Sequence, residues 1–318
     1  MSKEAMPLRV VICTKRDLAG ALILNQMLPR LAGDTVMVLL SDKTRAVENA
    51  VPELAEMKFL ERDLPIDTLF PLIDRDHGDD AALATFAGLA RRYGVTIQVV
   101  EDINGAEGES LLRGFSPDVL LSARFSLIFR RNVFDIPRFG TYNVHPGALP
   151  RYAGLFAPFR CMLDGGDAIG CTLHRVDDGI DTGPVVGIGW LPVKPERSLL
   201  WHVLNTYQAG LDLFFTMLNG LRHGVVPRHL EQDRSQRVYG SLPGREAFDA
   251  FRAKGLRLFD PQDYKEILRG FVPTDGTVLE HVIAGAALEH DIAGAASEHD
   301  IAGAAVEKGE ASCCCAHA

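Results

Sequence analysis

The amino-acid sequence predicts an α/β fold built on a doubly wound, mainly parallel sheet. Short runs of β-branched residues alternate with stretches of helical period, and glycine, proline and aspartate mark the changeovers. The chain also has the bulk for it: 318 residues, 47% of them hydrophobic, can bury a sizeable core, unlike collagen-like, mucin-like or wholly disordered sequences. In such a fold the functional site is expected at the carboxyl ends of the strands.

In order, Leu8 to Cys13 is a short strand, Leu18 to Leu31 has the Leu and Ile spacing of a helix, and Thr35 to Leu40 is a second strand. Asp79 to Tyr93 reads as a helix with one apolar face, Val95 to Val100 as a strand and Ala106 to Phe115 as a helix, after which Pro117 to Leu121 leads into another strand. Thr141 to His145 is a strand that Pro146 stops, because proline has no N–H to continue a ladder. Gly147 to Gly154 is a loop and Leu155 to Leu163 a helix, while Ala168 to Val176 and Gly183 to Val193 are strands joined by a turn rich in Gly and Asp. Leu199 to Leu221 is a long helix that closes a first domain of residues 1–224. Residues 225–276 read as a small C-terminal extension with helices at Arg245 to Ala253 and Pro261 to Arg269. Residues 277–318 are a low-complexity tail: the nine residues from Glu280 recur from Glu289 and again from Glu298. A period of nine builds no continuous apolar stripe, so the tail is expected to be disordered or loosely helical.

The net charge of −9 is unevenly spread, since seven acidic residues and one lysine between 277 and 318 leave only −3 on the first 276 residues. A nearly balanced body gives little electrostatic support for nucleic acid as a partner. No apolar run approaches the ~20 residues of a membrane-spanning helix. The start, MSKEAMPLRVVIC, lacks the apolar stretch and cleavage site of a secretory signal, so a cytoplasmic protein without a membrane partner is expected. Cys13, Cys161 and Cys171 are dispersed and do not make a disulfide framework. Cys313, Cys314 and Cys315 are adjacent and, even beside the tail histidines, lack the spacing of a metal site, so no metal is expected.

The chemistry concentrates between residues 142 and 183. Asn143 and His145 are two apart at a strand end, so their side chains leave the same face. Asn donates amide hydrogens to an oxygen that gains charge, and His moves a proton near neutral pH. Asp181 follows 36 residues after His145, between Gly179 and Gly183, where a turn can return a carboxylate to the imidazole. Taken singly, these are also a strand-end Asn, a structural His and an Asx-turn Asp, and Asp177 and Asp178 are close by.

Taken together, Asn143-Val144-His145-Pro146, Leu149-Pro150 and Gly154, then Gly170-Cys171-Thr172-Leu173-His174, then Asp178-Gly179-Ile180-Asp181-Thr182-Gly183 form an ordered block. It resembles the folate-dependent formyltransferase family, which includes the glycinamide ribonucleotide, methionyl-tRNA and sugar N-formyltransferases. The resemblance covers roughly residues 8 to 220 and is strongest over 118 to 186. It implies a Rossmann-like formyltransferase fold and an enzyme that moves a formyl group from 10-formyltetrahydrofolate to an amine. By match to the family's motifs, Asn143, His145 and Asp181 are the catalytic residues, with Ile-Asp-Thr-Gly selecting Asp181 among its neighbours. The folate is then expected at Phe125, Leu127 and Ile128 and along Val176, Asp178, Gly179 and Ile180. Pro146, Leu149, Arg151, Tyr152 and Gly154 would frame the acceptor, and His174 faces either the site or the core.

Departures from the family narrow the acceptor. The stretch Thr14 to Gly20 holds one glycine, where the purine-pathway enzymes have a Gly-rich phosphate loop. The 50-odd residues before the repeat look too short and too helical for the barrel of the tRNA enzymes. The formyltetrahydrofolate hydrolases add an N-terminal regulatory domain, which is not expected here because the first strand begins at Leu8. The expected acceptor is therefore an amine of a small molecule, such as an amino sugar nucleotide, an amino acid or a hydroxylamine. Methionyl-tRNA is the alternative, followed by a hydrolase or a non-catalytic folate-binding protein.

Overall fold

The computed structural model describes residues 6–44, 46–49, 51–76 and 81–272. The repeat tail and its three cysteines lie outside the described residues. The strands are β1 (Arg9–Lys15), β2 (Thr35–Ser41), β3 (Thr96–Val99), β4 (Val119–Ala123), β5 (Thr141–His145), β6 (Ala153–Gly154), β7 (Ala168–Arg175), β8 (Val185–Pro192) and β9 (Tyr239–Gly240). Among the described residues, seven of them form one sheet in the order β3-β2-β1-β4-β5-β7-β8, and β6 pairs with β9 apart from it. The first five neighbours run parallel, while β7 and β8 are antiparallel additions, so the sheet is mainly parallel as its alternating sequence predicts. The order reverses between β1 and β4, and a crevice opens at such a switch point.

The helices are α1 (Leu18–Met27), α2 (Pro52–Lys58), α3 (Phe70–Asp76), α4 (Phe86–Tyr93), α5 (Ala106–Phe115), α6 (Arg131–Phe134), α7 (Ala157–Leu163), α8 (Leu199–Arg222), α9 (Arg245–Ala253) and α10 (Pro261–Leu268). Alternation along β1 sorts its side chains. Val10 and Ile12 pack with Leu24 of α1 and Phe214 of α8, whereas Val11 and Cys13 face Leu112 of α5 and Val133 of α6. Local chemistry sets the helix limits. The helical spacing that runs to Leu31 gives way to a 3₁₀ turn at Leu28–Leu31, because Pro29 cannot donate to the preceding turn. Helix α4 starts at Phe86, later than its apolar pattern suggests, because Thr85 caps it by accepting the Gly88 N–H at 3.1 Å.

Residues 52–76 carry no helical expectation above, yet they run helically from α2 to α3 through two widened turns. In these the N–H of Leu64 reaches the carbonyl of Phe59, and that of Phe70 the carbonyl of Pro65. Pro65 breaks the regular ladder, and the wide turns absorb it while keeping Leu54, Met57, Leu60 and Leu64 buried. Their partners come from the far end of the chain. Phe248 and Phe251 of α9, Tyr264 and Leu268 of α10, and Phe271 join Phe159 of α7 and Leu199 and Leu200 of α8 in one apolar cluster. The segment after residue 224 thus shares a core with the body. The Phe159 and Phe251 rings stack at 4.7 Å, both essentially inaccessible. Phe251→Ala should lower unfolding stability by about 3–5 kcal/mol, measured by urea denaturation, because it empties a closed aromatic contact.

Candidate active site

A cavity of about 750 Å³ opens along the carboxyl ends of the central strands. Register aligns its floor: Cys13 of β1 is level with Ser122 of β4, and Ser122 with Asn143 of β5. Continuing two residues along each strand brings Lys15, Arg124 and His145 to neighbouring strand ends. All three border the cavity, as do Asn143 and Asp181.

The antiparallel pairing of β5 with β7 sets Asn143 directly opposite His174. The Asn143 amide nitrogen lies 3.1 Å from His174 Nε2. His174 Nδ1 lies 3.0 Å from the Arg175 carbonyl, which can only accept, so Nδ1 carries hydrogen. Neutral His174 therefore offers the Nε2 lone pair to one amide hydrogen of Asn143, orienting the amide and leaving its second hydrogen for the cavity. The same logic fixes His145: its Nε2 is 2.6 Å from the Tyr152 carbonyl and donates to it. That leaves His145 Nδ1 facing Asp181 Oδ2 at 3.6 Å, with Asp181 Oδ1 3.6 Å from His174 Nε2.

Asp181 sits in the left-handed region, φ +55°, which is unusual for a residue with a Cβ. Hydrogen bonds hold it there. The Gln232 amide donates to the carbonyls of Asp181 at 3.1 Å and Gly183 at 2.6 Å, and the Gly154 N–H donates to the Asp181 carboxylate at 2.8 Å. Burial by itself would raise the Asp181 carboxyl, but the positive charge the His145 and His174 imidazoles carry once protonated, with the Gly154 N–H, outweighs it and holds the group well below the usual carboxylate range. Burial pushes His145 the other way, below the ordinary histidine value, against the pull of Asp181. The resting site therefore pairs an ionised carboxylate with a neutral imidazole, and their facing atoms are both acceptors waiting for a proton.

Of the other residues expected here, Phe125, Leu127, Ile128, Ile180, Pro146 and Gly154 border the cavity. The remainder do not. Leu149 is buried and gives its N–H to Thr172 Oγ1 at 3.1 Å. Tyr152 turns its hydroxyl to Asp164 at 3.0 Å and reaches the site through its carbonyl, while Arg151 lies over the Tyr152 ring at 5.6 Å. Val176 packs beneath the sheet with the β1 and α6 side chains, Asp178 pairs with Arg131 on the surface, and the backbone N–H of Gly179 serves Asp177. His174 stands behind Asn143 and Asp181.

Nothing in the residue pattern marked the opposite wall. Leu54, Met57 and Glu61 come from the irregular helical run, and Tyr239 and Leu242 from beyond residue 224. Arg124, at φ +64°, salt-bridges buried Asp17 at 2.9 Å and also pairs with Glu61. Its position one residue past a strand end was a usable signal, because sites in this architecture gather there.

Residues 101–200 match the family model Formyl_trans_N, formyl transferase. The methionyl-tRNA formyltransferase of Halorhodospira halophila is 30% identical over 159 residues, 50% of this chain and 51% of the relative. That of Chlamydia abortus is 34% identical over 190 residues, 59% of this chain and 57% of the relative. The chain thus spans about half the length of the curated relatives it matches. Among solved structures, glycinamide ribonucleotide transformylase 1 from Symbiobacterium toebii is alike in fold, with a TM-score of 0.50 at 15% identity over 73% of this chain and 100% of that one.

Two outcomes test the geometry without any substrate. Asp181 has a folded-state value below its unfolded one of about 3.9, so its contribution to stability is complete above roughly pH 4 and is lost as pH falls through the folded value. Urea unfolding between pH 2.5 and 6 should accordingly show a shallower acid decline for Asp181→Asn than for the unmodified protein. A Cβ at Gly147 would lie 2.6 Å from the Tyr152 carbonyl and 2.7 Å from His145 Nε2. Gly147→Ala should break that hydrogen bond and cost about 1–3 kcal/mol in the same assay.

Proposed function

We propose, from the match of residues 101–200 to the formyl transferase family, that the chain moves a formyl group from 10-formyltetrahydrofolate to the amine of a small molecule. The observation that carries this reading is the convergence of Asn143, His145 and Asp181 on one cavity at the sheet's switch point. The cavity also suits a flat heteroaromatic donor. Ile128 and Ile180 are 65% and 44% exposed at its border, next to Phe125 and Leu127, while Asp102 and Asn104 offer polar contacts. A bound pterin would cover those apolar surfaces, giving Phe125, Leu127, Ile128 and Ile180 a reason to be there.

The donor, when bound, supplies a formyl group on a nitrogen that can leave. The free amide hydrogen of Asn143 donates to the formyl oxygen as that oxygen gains charge. Neutral His145 accepts at Nδ1 the proton that the attacking amine must lose, and Asp181, 3.6 Å away, stabilises the resulting imidazolium. Nδ1 then returns the proton to the departing nitrogen, so that an amine and a formyl donor become a formamide and tetrahydrofolate with no net proton released. Nε2 remains bonded to the Tyr152 carbonyl throughout, which keeps the ring oriented. His174 acts through Asn143 and Asp181 as a positioning residue.

A small acceptor is also supported by the α1 terminus, where Asp17 accepts the Gly20 N–H at 2.8 Å. A residue of the chain therefore occupies the helix end that a phosphate would need. The second reading is methionyl-tRNA as acceptor, favoured by the names of the curated relatives. Cytoplasmic location is part of the proposal, and no helix among the described residues is long and apolar enough to cross a membrane.

Release of tetrahydrofolate should require an amine, and Asn143→Ala should lower kcat by about 10²–10³-fold, as loss of an oxyanion donor does. Equal release without any amine would instead indicate a hydrolase. Followed by NMR, the His145 ring should titrate below about 6.5, keeping it a base at neutral pH. A midpoint above that value would remove it from the role of proton acceptor.

A further inference from the structure

The cavity that holds Asn143, His145 and Asp181 is also lined by a polar group from α2 and the wide turn after it, Lys58, Glu61 and Arg62. Glu61 has its side chain 14% exposed, one carboxylate oxygen engaged by Arg124 and the other with no hydrogen-bond partner among the described residues. Burial raises the Glu61 carboxyl against the pull of Arg124, so a cation arriving beside it would favour its ionised form. Lys15 borders the same cavity, makes no close ion pair among the described residues, and lies near enough for its charge to act on Glu61. Of the other cations lining the cavity, Lys58 pairs with Asp63 at 3.0 Å, Arg62 with Asp42 at 2.7 Å and Arg124 with Asp17 at 2.9 Å, while Lys43 is exposed and has no carboxylate partner among the described residues. The cavity lining also holds an apolar group, Met57, Phe159, Leu199 and Val203, which belong to one packed cluster.

We propose that the acceptor is a diamino acid, bound with its α-carboxylate on Lys15, its α-ammonium on Glu61 and its side-chain amine at His145 and Asn143. The inference rests on the formyl-transfer reading and names the acceptor of that same site. Strand spacing supports the length. Neighbouring strands lie ~4.8 Å apart, so the ends of β1 and β5, separated by β4, are about 10 Å apart. Ornithine places four bonds, roughly 5 Å, between its α-carbon and its terminal nitrogen. The side chains of Lys15 and Glu61 on one side and His145 on the other take up the rest. The methylenes of the acceptor would lie on the apolar wall, as the stems of long cationic side chains do on protein surfaces. Arg124, tied to both Asp17 and Glu61, is a positioning residue that holds the Glu61 carboxylate at the cavity edge.

The test supplies 10-formyltetrahydrofolate and compares L-ornithine with 1,4-diaminobutane, which lacks the carboxylate, and with 5-aminopentanoate, which lacks the α-ammonium. Formylated product is measured by mass spectrometry and kcat/KM for each acceptor. Ornithine should exceed each analogue by about tenfold or more, the size of one charge-assisted hydrogen bond, with the difference mainly in KM. Glu61→Gln should erase the preference over 5-aminopentanoate, and Lys15→Met the preference over 1,4-diaminobutane. The comparison in the unmodified protein stands even if a variant fails to fold. Equal use of the three acceptors, or undiminished preferences in both folded variants, would overturn the proposal. Transfer to an amino sugar nucleotide or methionyl-tRNA with ornithine inert would overturn it and leave formyl transfer standing. Tetrahydrofolate release with no amine present would overturn both.

Discussion

The site depends on keeping one carboxylate ionised while nearly removing it from water. An uncompensated buried charge costs several kcal/mol, so the residues around Asp181 must supply what water would have given. The Gly154 N–H does so at rest and the flanking imidazoles do so once protonated, and each brings a structural demand of its own. Gly154 must lie beside the carboxylate at φ +85°, which places the 147–154 loop. His145 must turn its Nδ1 inward, which requires a fixed acceptor for Nε2 and brings in the Tyr152 carbonyl. Asp181 must take up a left-handed backbone, and the Gln232 amide secures it from the other side.

These demands give the segment after residue 224 a part in the chemistry. Ala153 and Gly154 pair as β6 with Tyr239 and Gly240 as β9, and Arg237 donates to the Ile180 carbonyl at 2.9 Å. The segment therefore braces the 147–154 loop and the loop that carries Asp181 before it folds into α9 and α10. Those helices in turn bury the irregular helical run that walls the cavity. The floor at the strand ends is set by register in a parallel sheet, while the wall and braces are set by contacts across the length of the chain.

Such an arrangement divides the labour between protonation states. Asn143 and Asp181 are held in one form by their neighbours, and His145 is left near neutrality and free to change. A proton that enters at His145 Nδ1 meets an ionised partner in place and needs no rearrangement. The pre-paired acceptors suit a reaction whose nucleophile must lose a proton and whose leaving group must gain one.

Much of this was legible in the residues. Alternating period gave the doubly wound sheet, the spacing of Asn143 and His145 put them on one face, and the family pattern selected Asp181, which meets them in the cavity. Phe125, Leu127, Ile128 and Ile180 were placed at its border from the family pattern. Other features could not be read, because a linear pattern reports which face a side chain leaves but not what waits there. Arg151 and Tyr152 lie in the correct loop, yet the loop's curl sends one side chain over the other and offers the site only a carbonyl. Glu61 and Arg124 are ordinary surface residue types in the sequence; folding brings together Asp17, Glu61 and Arg124 from three separate stretches and buries them enough for each to constrain the others. Residue order settled the sheet and the shared face of Asn143 and His145, since period and spacing are local. Tertiary contact decided the protonation states and the polar lining of the cavity, since burial and charge pairing arise when distant segments meet.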